Sequence, residues 1–301
     1  MIFARMEGRN GNQMFVFAAA YALAKRMGQR VFFDCISNYE NNRINDTFTL
    51  DFFPEVRAFL DDISLRRVKT EIQHLVSKYF ADDCGHIFEN QKDLTQLLCS
   101  FTPATLIQNK VSHLFLHGFF QNERYFTDAD GDIRRFFRFP EPPDSQNRDL
   151  YTFLKSNDNT VSVSIRRGDF VSDAEAVRLF GNNCPVQYYQ KAFETIGEQI
   201  PDPVFVFFSD EPEWIKNNFP VPKNSIFVDW NTSPATSYWD MYLISACHHN
   251  ILSNSTFCWW GAWLGGGKIV IAPPRWFNDE RYAALDKGIV PERWLRIDYR
   301  L

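Results

Sequence analysis

The residues of this chain best suited to chemistry are a pair of arginines and a loop of hydroxyls, each placed after an apolar run. Arg166-Arg167-Gly168-Asp169 follows Val161-Ser162-Val163-Ser164-Ile165, and Ser253-Asn254-Ser255-Thr256 separates a short run at 250–252 from the aromatic segment at 257–264. Both spacings predict a buried strand end handing over to a polar turn, and in the second case onward to a helix. Backbone N–H groups and the helix dipole point outward at such a handover, which suits it to an anion. Adjacent arginines near a buried strand end are costly unless negative charge compensates them, and a guanidinium grips phosphate oxygens with a planar fork of donors. The alternatives are an N-cap leading into a core helix for the hydroxyls, and internal salt bridges to Asp169 and Asp210 for the arginines.

The elements that must position these clusters are regular in the second half. Strands are predicted at about 160–165, 203–208, 225–228, 249–252 and 268–271, with helices at about 185–199, 211–218, 236–246 and 256–264. Short buried strands alternating with helices imply a parallel sheet covered on both faces. Ligands bind such sheets at the carboxyl ends of the strands, where Arg166 to Asp169, Ser209-Asp210, Asp229 and Ser253 to Thr256 all fall. The first half opens with a strand at 2–6, a glycine-bearing turn at 7–13, a helix at 14–27 and a strand at 31–34. Glycines let the turn approach a ligand, and the amides of Asn12 and Gln13 offer donors there. The turn lacks the third glycine of the dinucleotide fingerprint. An arginine pair, a hydroxyl loop and this turn together predict a diphosphate held in a cleft between two domains. Prolines at 140, 142 and 143 mark a linker over 139–147, so the domains are placed at 1–145 and 146–301.

Between these regions the pattern is weak. Helical patches are expected at 63–80 and 93–98, and a strand from 114 leading through Gly118 into a helix that reaches about 137. His74, His86 and His113 are isolated. Asp128, Asp130 and Asp132 invite a metal reading, but an EF-hand fails because Ile133 and Phe139 stand where Gly and Glu are needed. A D-x-D metal motif competes there with an acidic helix start.

Composition narrows the function classes. The chain has 301 residues, 45% hydrophobic and 16% aromatic, which is material for two cores. A net charge of -5 argues against a nucleic-acid partner and for a small one. Arg5, Glu7 and Arg9 interrupt any signal-peptide core, and no run is long enough for a transmembrane segment, which leaves peripheral membrane association open. Six cysteines without C-x-x-C spacing indicate neither zinc nor a disulfide framework, so a cytoplasmic location is expected. Asn45, Asn231 and Asn254 head N-x-S/T triplets, but a glycan on Asn254 would block the hydroxyl loop.

The blocks GRNGNQMFVFAAAYALAKRMG, LHGFFQNERYF, SIRRGDF, FFSDEPEW and ILSNSTFCWWGAWL, spread over residues 8–264, resemble in order and spacing the bacterial alpha-1,2-fucosyltransferases of glycosyltransferase family 11. The resemblance implies an α/β fold of GT-B type, two Rossmann-like domains facing across a cleft, with GDP-fucose held mainly by the C-terminal one. It implies inverting transfer of L-fucose from GDP-beta-L-fucose to the 2-hydroxyl of a galactose in an oligosaccharide or surface polysaccharide, with no obligatory metal or cofactor. By the same resemblance Arg166 contacts the diphosphate, Ser255, Thr256 and Phe257 line the phosphate and nucleoside end, and Asp240 accepts from guanine. Asn12 reaches the sugar and pyrophosphate, and Gly11, Gln13, Ser209 and Asp210 complete the nucleotide contacts. The chain departs from the family at Ser164, where members carry histidine.

Such a site has a physical logic of its own. Breaking the anomeric C–O bond builds negative charge on the diphosphate, and preorganised donors there lower the barrier. Inversion also needs a base or an acceptor-positioning carboxylate. Asp169 is the candidate, with Asp173, Glu175 and Glu7 as rivals and a plain arginine partner as the alternative role for Asp169. Two other functions fit the same residues: a noncatalytic module that binds sugar nucleotide or glycan, and a transferase using another GDP-sugar or linkage.

Overall fold

A computed structural model of the chain describes residues 1–35, 48–63, 84–88 and 113–299. They form two compact units, Met1–Pro140 and Glu141–Leu301, divided inside the proline-bearing segment and ahead of the 145/146 boundary expected from sequence.

In the first unit, β1 (Ile2–Arg5), β2 (Val31–Asp34), β3 (Cys84–Phe88) and β4 (His113–His117) make a parallel sheet in the order β2-β1-β4-β3. Helix α1 (Asn10–Arg26) carries the chain from β1 back to β2. Its alanine-rich middle is buried on nearly every side, because small side chains let large aromatics close around it. Phe17 lies 4.9 Å from Phe33 of β2 and 5.2 Å from Phe136, ring centre to ring centre. The helix starts at Asn10 and not at 14, since Gly11 is accommodated in its first turn. The predicted helix running to 137 is also corrected. β4 is followed by Gly118 and Phe120 at positive φ, by short 3-10 turns at Glu123–Tyr125 and Thr127–Ala129, and only then by a helix, Asp130–Phe136. The helix Pro54–Ile63 was not foreseen. The helix expected over 63–80, beyond residue 63, and the one over 93–98 lie outside the described residues, as do His74, Asn45 and the side chain of His86.

In the second unit, β5 (Thr160–Ile165), β6 (Val204–Ser209), β7 (Ser225–Val228), β8 (His249–Ile251), β9 (Ile269–Ala272) and β10 (Leu295–Arg296) form a parallel sheet in the order β10-β9-β8-β5-β6-β7. Alternation along β5 sorts its two faces. Val161, Val163 and Ile165 pack with Tyr188, Tyr189 and Ile196 of the helix Val186–Gly197. Ser162 points the other way, where Asn250 of β8 donates to its hydroxyl at 2.7 Å. On that second face the helices Tyr238–Ala246 and Thr256–Gly265 lie against each other through glycines: a Cβ on Gly261 would stand 2.5 Å from Ile244 Cγ2, and one on Gly265 2.4 Å from the Ser245 carbonyl oxygen. The segment read as linker already contains a helix, Ser145–Ser156, whose start is capped by Asp144 accepting from the Asn147 amide at 2.8 Å.

Candidate active site

β5 and β8 are neighbours at the centre of the second sheet, yet the chain leads from β5 towards β6 and β7 on one side and from β8 towards β9 and β10 on the other. In open α/β sheets a ligand crevice forms at this reversal, outside the carboxyl ends. Pairing of Val161 with His249 and of Val163 with Ile251 puts those two ends side by side. Arg166 leaves one of them and the hydroxyl loop leaves the other.

The two arginines have different surroundings. Arg167 is fully engaged: its Nε donates to Glu211 at 2.9 Å, its backbone N–H donates to Asp210 Oδ1 at 3.0 Å, and its guanidinium lies 3.4 Å above the Trp214 ring. It secures the turn. Arg166 Nη2 donates to Asp169 at 2.6 Å and Nη1 pairs with Asp210 Oδ2 at 2.8 Å, while a quarter of the side chain, 25%, stays open to solvent. The salt-bridge arrangement weighed as an alternative is therefore present around Arg166. Glu211 and Trp214 were not singled out from sequence. The signal was there, because Asp210-Glu211 follows β6 as Arg166-Arg167 follows β5, and Ile165 pairs with Ser209. Ser209 accepts from the Glu211 amide at 3.1 Å and so shapes this turn.

Across the strand reversal, the helix Thr256–Gly265 begins without help from its N-cap: Ser255 makes no side-chain capping bond. Its first-turn N–H groups point out of the carboxyl edge, as helix geometry requires. Ser255, Thr256 and Phe257 are half-buried at this rim. Asn254 is a strut, donating to the Phe180 and Trp276 carbonyls at 2.9 and 3.0 Å. Burial pushes the Cys258 thiol up, so no thiolate opposes an anion there. Ser164 is 5% exposed and its hydroxyl lies against that thiol, with no hydrogen bond to nitrogen or oxygen among the described residues. A thiol is a weak hydrogen-bond partner, so a ligand oxygen can improve on it.

Asp240 lies in the first turn of the helix Tyr238–Ala246. Burial pushes its carboxyl up to about 7, against a hydrogen bond from Asn231 at 2.9 Å. Asn231 is clamped in turn by Asn147, and both are buried. The N-x-S/T triplets at Asn231 and Asn254 thus carry interior side chains.

In the first unit Gly8, at φ +69, admits Asn12: a Cβ on Gly8 would lie 2.6 Å from Asn12 Nδ2. Asn12 Oδ1 accepts from Gln121 at 2.9 Å. Gln13 is wholly buried, donating to the Gly8 carbonyl at 2.8 Å and accepting twice from Thr49, so it braces the turn. The backbone amides of Asn12 and Gln13 both donate to the Arg9 carbonyl, and Gly11 is buried in the same turn. These backbone donors, expected to face a ligand, are spent within the helix. Among the rival bases, Asp173 caps the helix Ala174–Phe180, Glu7 pairs with Arg5, and the Glu175 side chain is 79% exposed. Asp128, Asp130 and Asp132 each pair with a separate basic side chain, Arg26, Arg134 and Lys25. Among the described residues no helix is long and apolar enough to cross a membrane.

Residues 1–298 match the family described as Glycosyl transferase family 11. The chain belongs to glycosyl transferase family 11. An alpha-1,2-colitosyltransferase of Escherichia coli is 32% identical over 310 residues, covering 99% of both chains. The O-antigen biosynthesis glycosyltransferase WbnK of Escherichia coli is 31% identical, over 96% of this chain and 99% of that protein. Galactoside alpha-(1,2)-fucosyltransferase 1 of Sus scrofa is 25% identical, over 88% of this chain and 65% of that protein. For a family-11 glycosyltransferase the chemical demand is charge stabilisation on a departing group, and the edge shared by β5 and β8 offers a guanidinium and a helix N-terminus for it.

Proposed function

We propose that this family-11 glycosyltransferase moves L-fucose, with inversion, from GDP-beta-L-fucose to the 2-hydroxyl of a terminal galactose. The observation that carries the reading is the meeting of Arg166, the N-terminus of the helix Thr256–Gly265 and the Ser164 hydroxyl at one strand reversal. Arg166 takes the diphosphate and stabilises its charge as GDP leaves, with Ser255, Thr256 and Phe257 at the phosphate and nucleoside end. Ser164 supplies the short donor that replaces the family's histidine. Asp240 receives the guanine, Asp169 positions or deprotonates the acceptor hydroxyl, and Asn12 contacts the donor sugar. With arginine and backbone amides taking the leaving charge, the reaction needs no divalent ion and no cofactor, and we place the enzyme in the cytoplasm. A second reading is favoured by the colitosyltransferase relative: colitose is L-fucose without its 3-hydroxyl, so the donor sugar is the point at issue.

The test is transfer by the purified protein to galactose-terminated oligosaccharides in EDTA, with GDP-L-fucose and GDP-colitose supplied separately. The reading expects GDP release and a 2-linked fucosyl product, and an Arg166→Lys variant at least about a hundredfold slower, since lysine cannot reproduce the fork. Turnover with GDP-colitose alone favours the second reading. GDP-fucose binding without release in either case makes the protein a binding module, and normal rates in Arg166→Lys remove the arginine from its role.

A further inference from the structure

Two carboxylates hold the Arg166 guanidinium at nearly equal distance, Asp169 at 2.6 Å and Asp210 at 2.8 Å. Two negative charges around one positive charge repel a diphosphate, so one carboxylate has to give way when it binds. The structure distinguishes them. Asp210 is fixed at both oxygens: Oδ2 is on Arg166 and Oδ1 accepts the backbone N–H of Arg167 at 3.0 Å. It is also set into a notch made by Gly168, where any Cβ would lie 2.5 Å from Asp210 Oδ2. That carboxylate cannot withdraw without opening the turn between β5 and the helix Gly168–Ser172. Asp169 sits on that short helix, its side chain 35% exposed against 24% for Asp210.

We propose that Asp210 is the positioning residue for Arg166 and that Asp169 is its exchangeable partner: the diphosphate takes the place of Asp169 on the guanidinium while Asp210 stays. Asp210, expected from sequence to touch the nucleotide, acts through the arginine instead. This inference rests on the proposed diphosphate role of Arg166.

The experiment is calorimetric titration with GDP and with GMP of the full-length protein and of Asp169→Asn, Asp210→Asn and Arg166→Ala, alone and combined. In Asp210→Asn the amide oxygen still accepts from the Arg167 backbone, so the turn persists, but its –NH2 faces Arg166 Nη1 donor to donor and displaces the guanidinium. Asp169→Asn is expected to tighten GDP by about threefold or more, and Asp210→Asn to weaken it by about tenfold, with GMP changed less in both. Neither substitution should change GDP affinity further once Arg166 is alanine. Simple removal of charge would tighten GDP in both variants, and that outcome overturns the proposal. So does weakening by Asp210→Asn that persists in the Arg166→Ala background. If Arg166→Ala leaves the GDP-over-GMP preference intact, the proposed function fails at its arginine, which is a different result from either of these.

Discussion

At the scale of single residues, Asp240 is a carboxyl at odds with its buried surroundings. Its pKa is raised to about 7 from the ordinary 3.8 by burial, so the folded protein binds this proton more tightly than the unfolded chain does. Stability from this group is therefore fully present below about pH 4, falls as pH rises towards 7, and the whole penalty stands above that. Asp240→Asn is expected to stabilise the protein at pH 8 by on the order of 2 kcal/mol and to change little at pH 4, read by thermal unfolding at the two pH values. A carboxylate kept at such cost fits the guanine role, which needs the ionised form; the same substitution should abolish the preference for GDP over ADP. Gln13 shows where single-residue reading stopped short. Its place in a G-N-Q turn pointed to a ligand, but an amide has enough donors and acceptors to brace a turn by itself, and burial decided which use it was put to.

At the scale of elements, the strands and helices of the second unit were legible because buried parallel strands are short apolar runs separated by longer segments with room for a helix. The helix Thr256–Gly265 was placed within a residue. What was missed has its own physics. Helices as short as Gly168–Ser172 and Ala174–Phe180 are too brief for a periodic signal, and Ser145–Ser156 was hidden behind prolines that end just before its Asp144 cap. The glycines of the helix carrying the hydroxyl loop could have been read as flexibility, yet Gly261 and Gly265 are contact points with the helix Tyr238–Ala246. Gly261→Ala places a methyl on Ile244 and is expected to cost about 1–3 kcal/mol, despite alanine's better helix propensity, as measured by denaturant unfolding. A gain in stability would show that these helices have room to spare and that the N-terminus of Thr256–Gly265 is not held by this packing.

At the scale of the whole molecule, the family match runs through both units, while Arg166, Ser164 and the helix Thr256–Gly265 belong to the second. A chain of net charge -5 offers no general attraction to an anion. Recognition has to come from a local arrangement: a partly exposed guanidinium, a helix start whose N-cap Ser255 makes no side-chain capping bond and the buried Ser164 hydroxyl, gathered where the strand order reverses. That logic was readable from residue types and their positions after strands. The internal neutralisation of Arg166 by Asp169 and Asp210 needed coordinates, because only the register of β5 on β6 brings Asp210 to it. The most direct measurement is a crystal structure with GDP. The account predicts the diphosphate seated between Arg166 and the N-terminal amides of the helix Thr256–Gly265, within reach of Ser164; a diphosphate bound away from Arg166, or GDP held at another edge of the sheet, would contradict it.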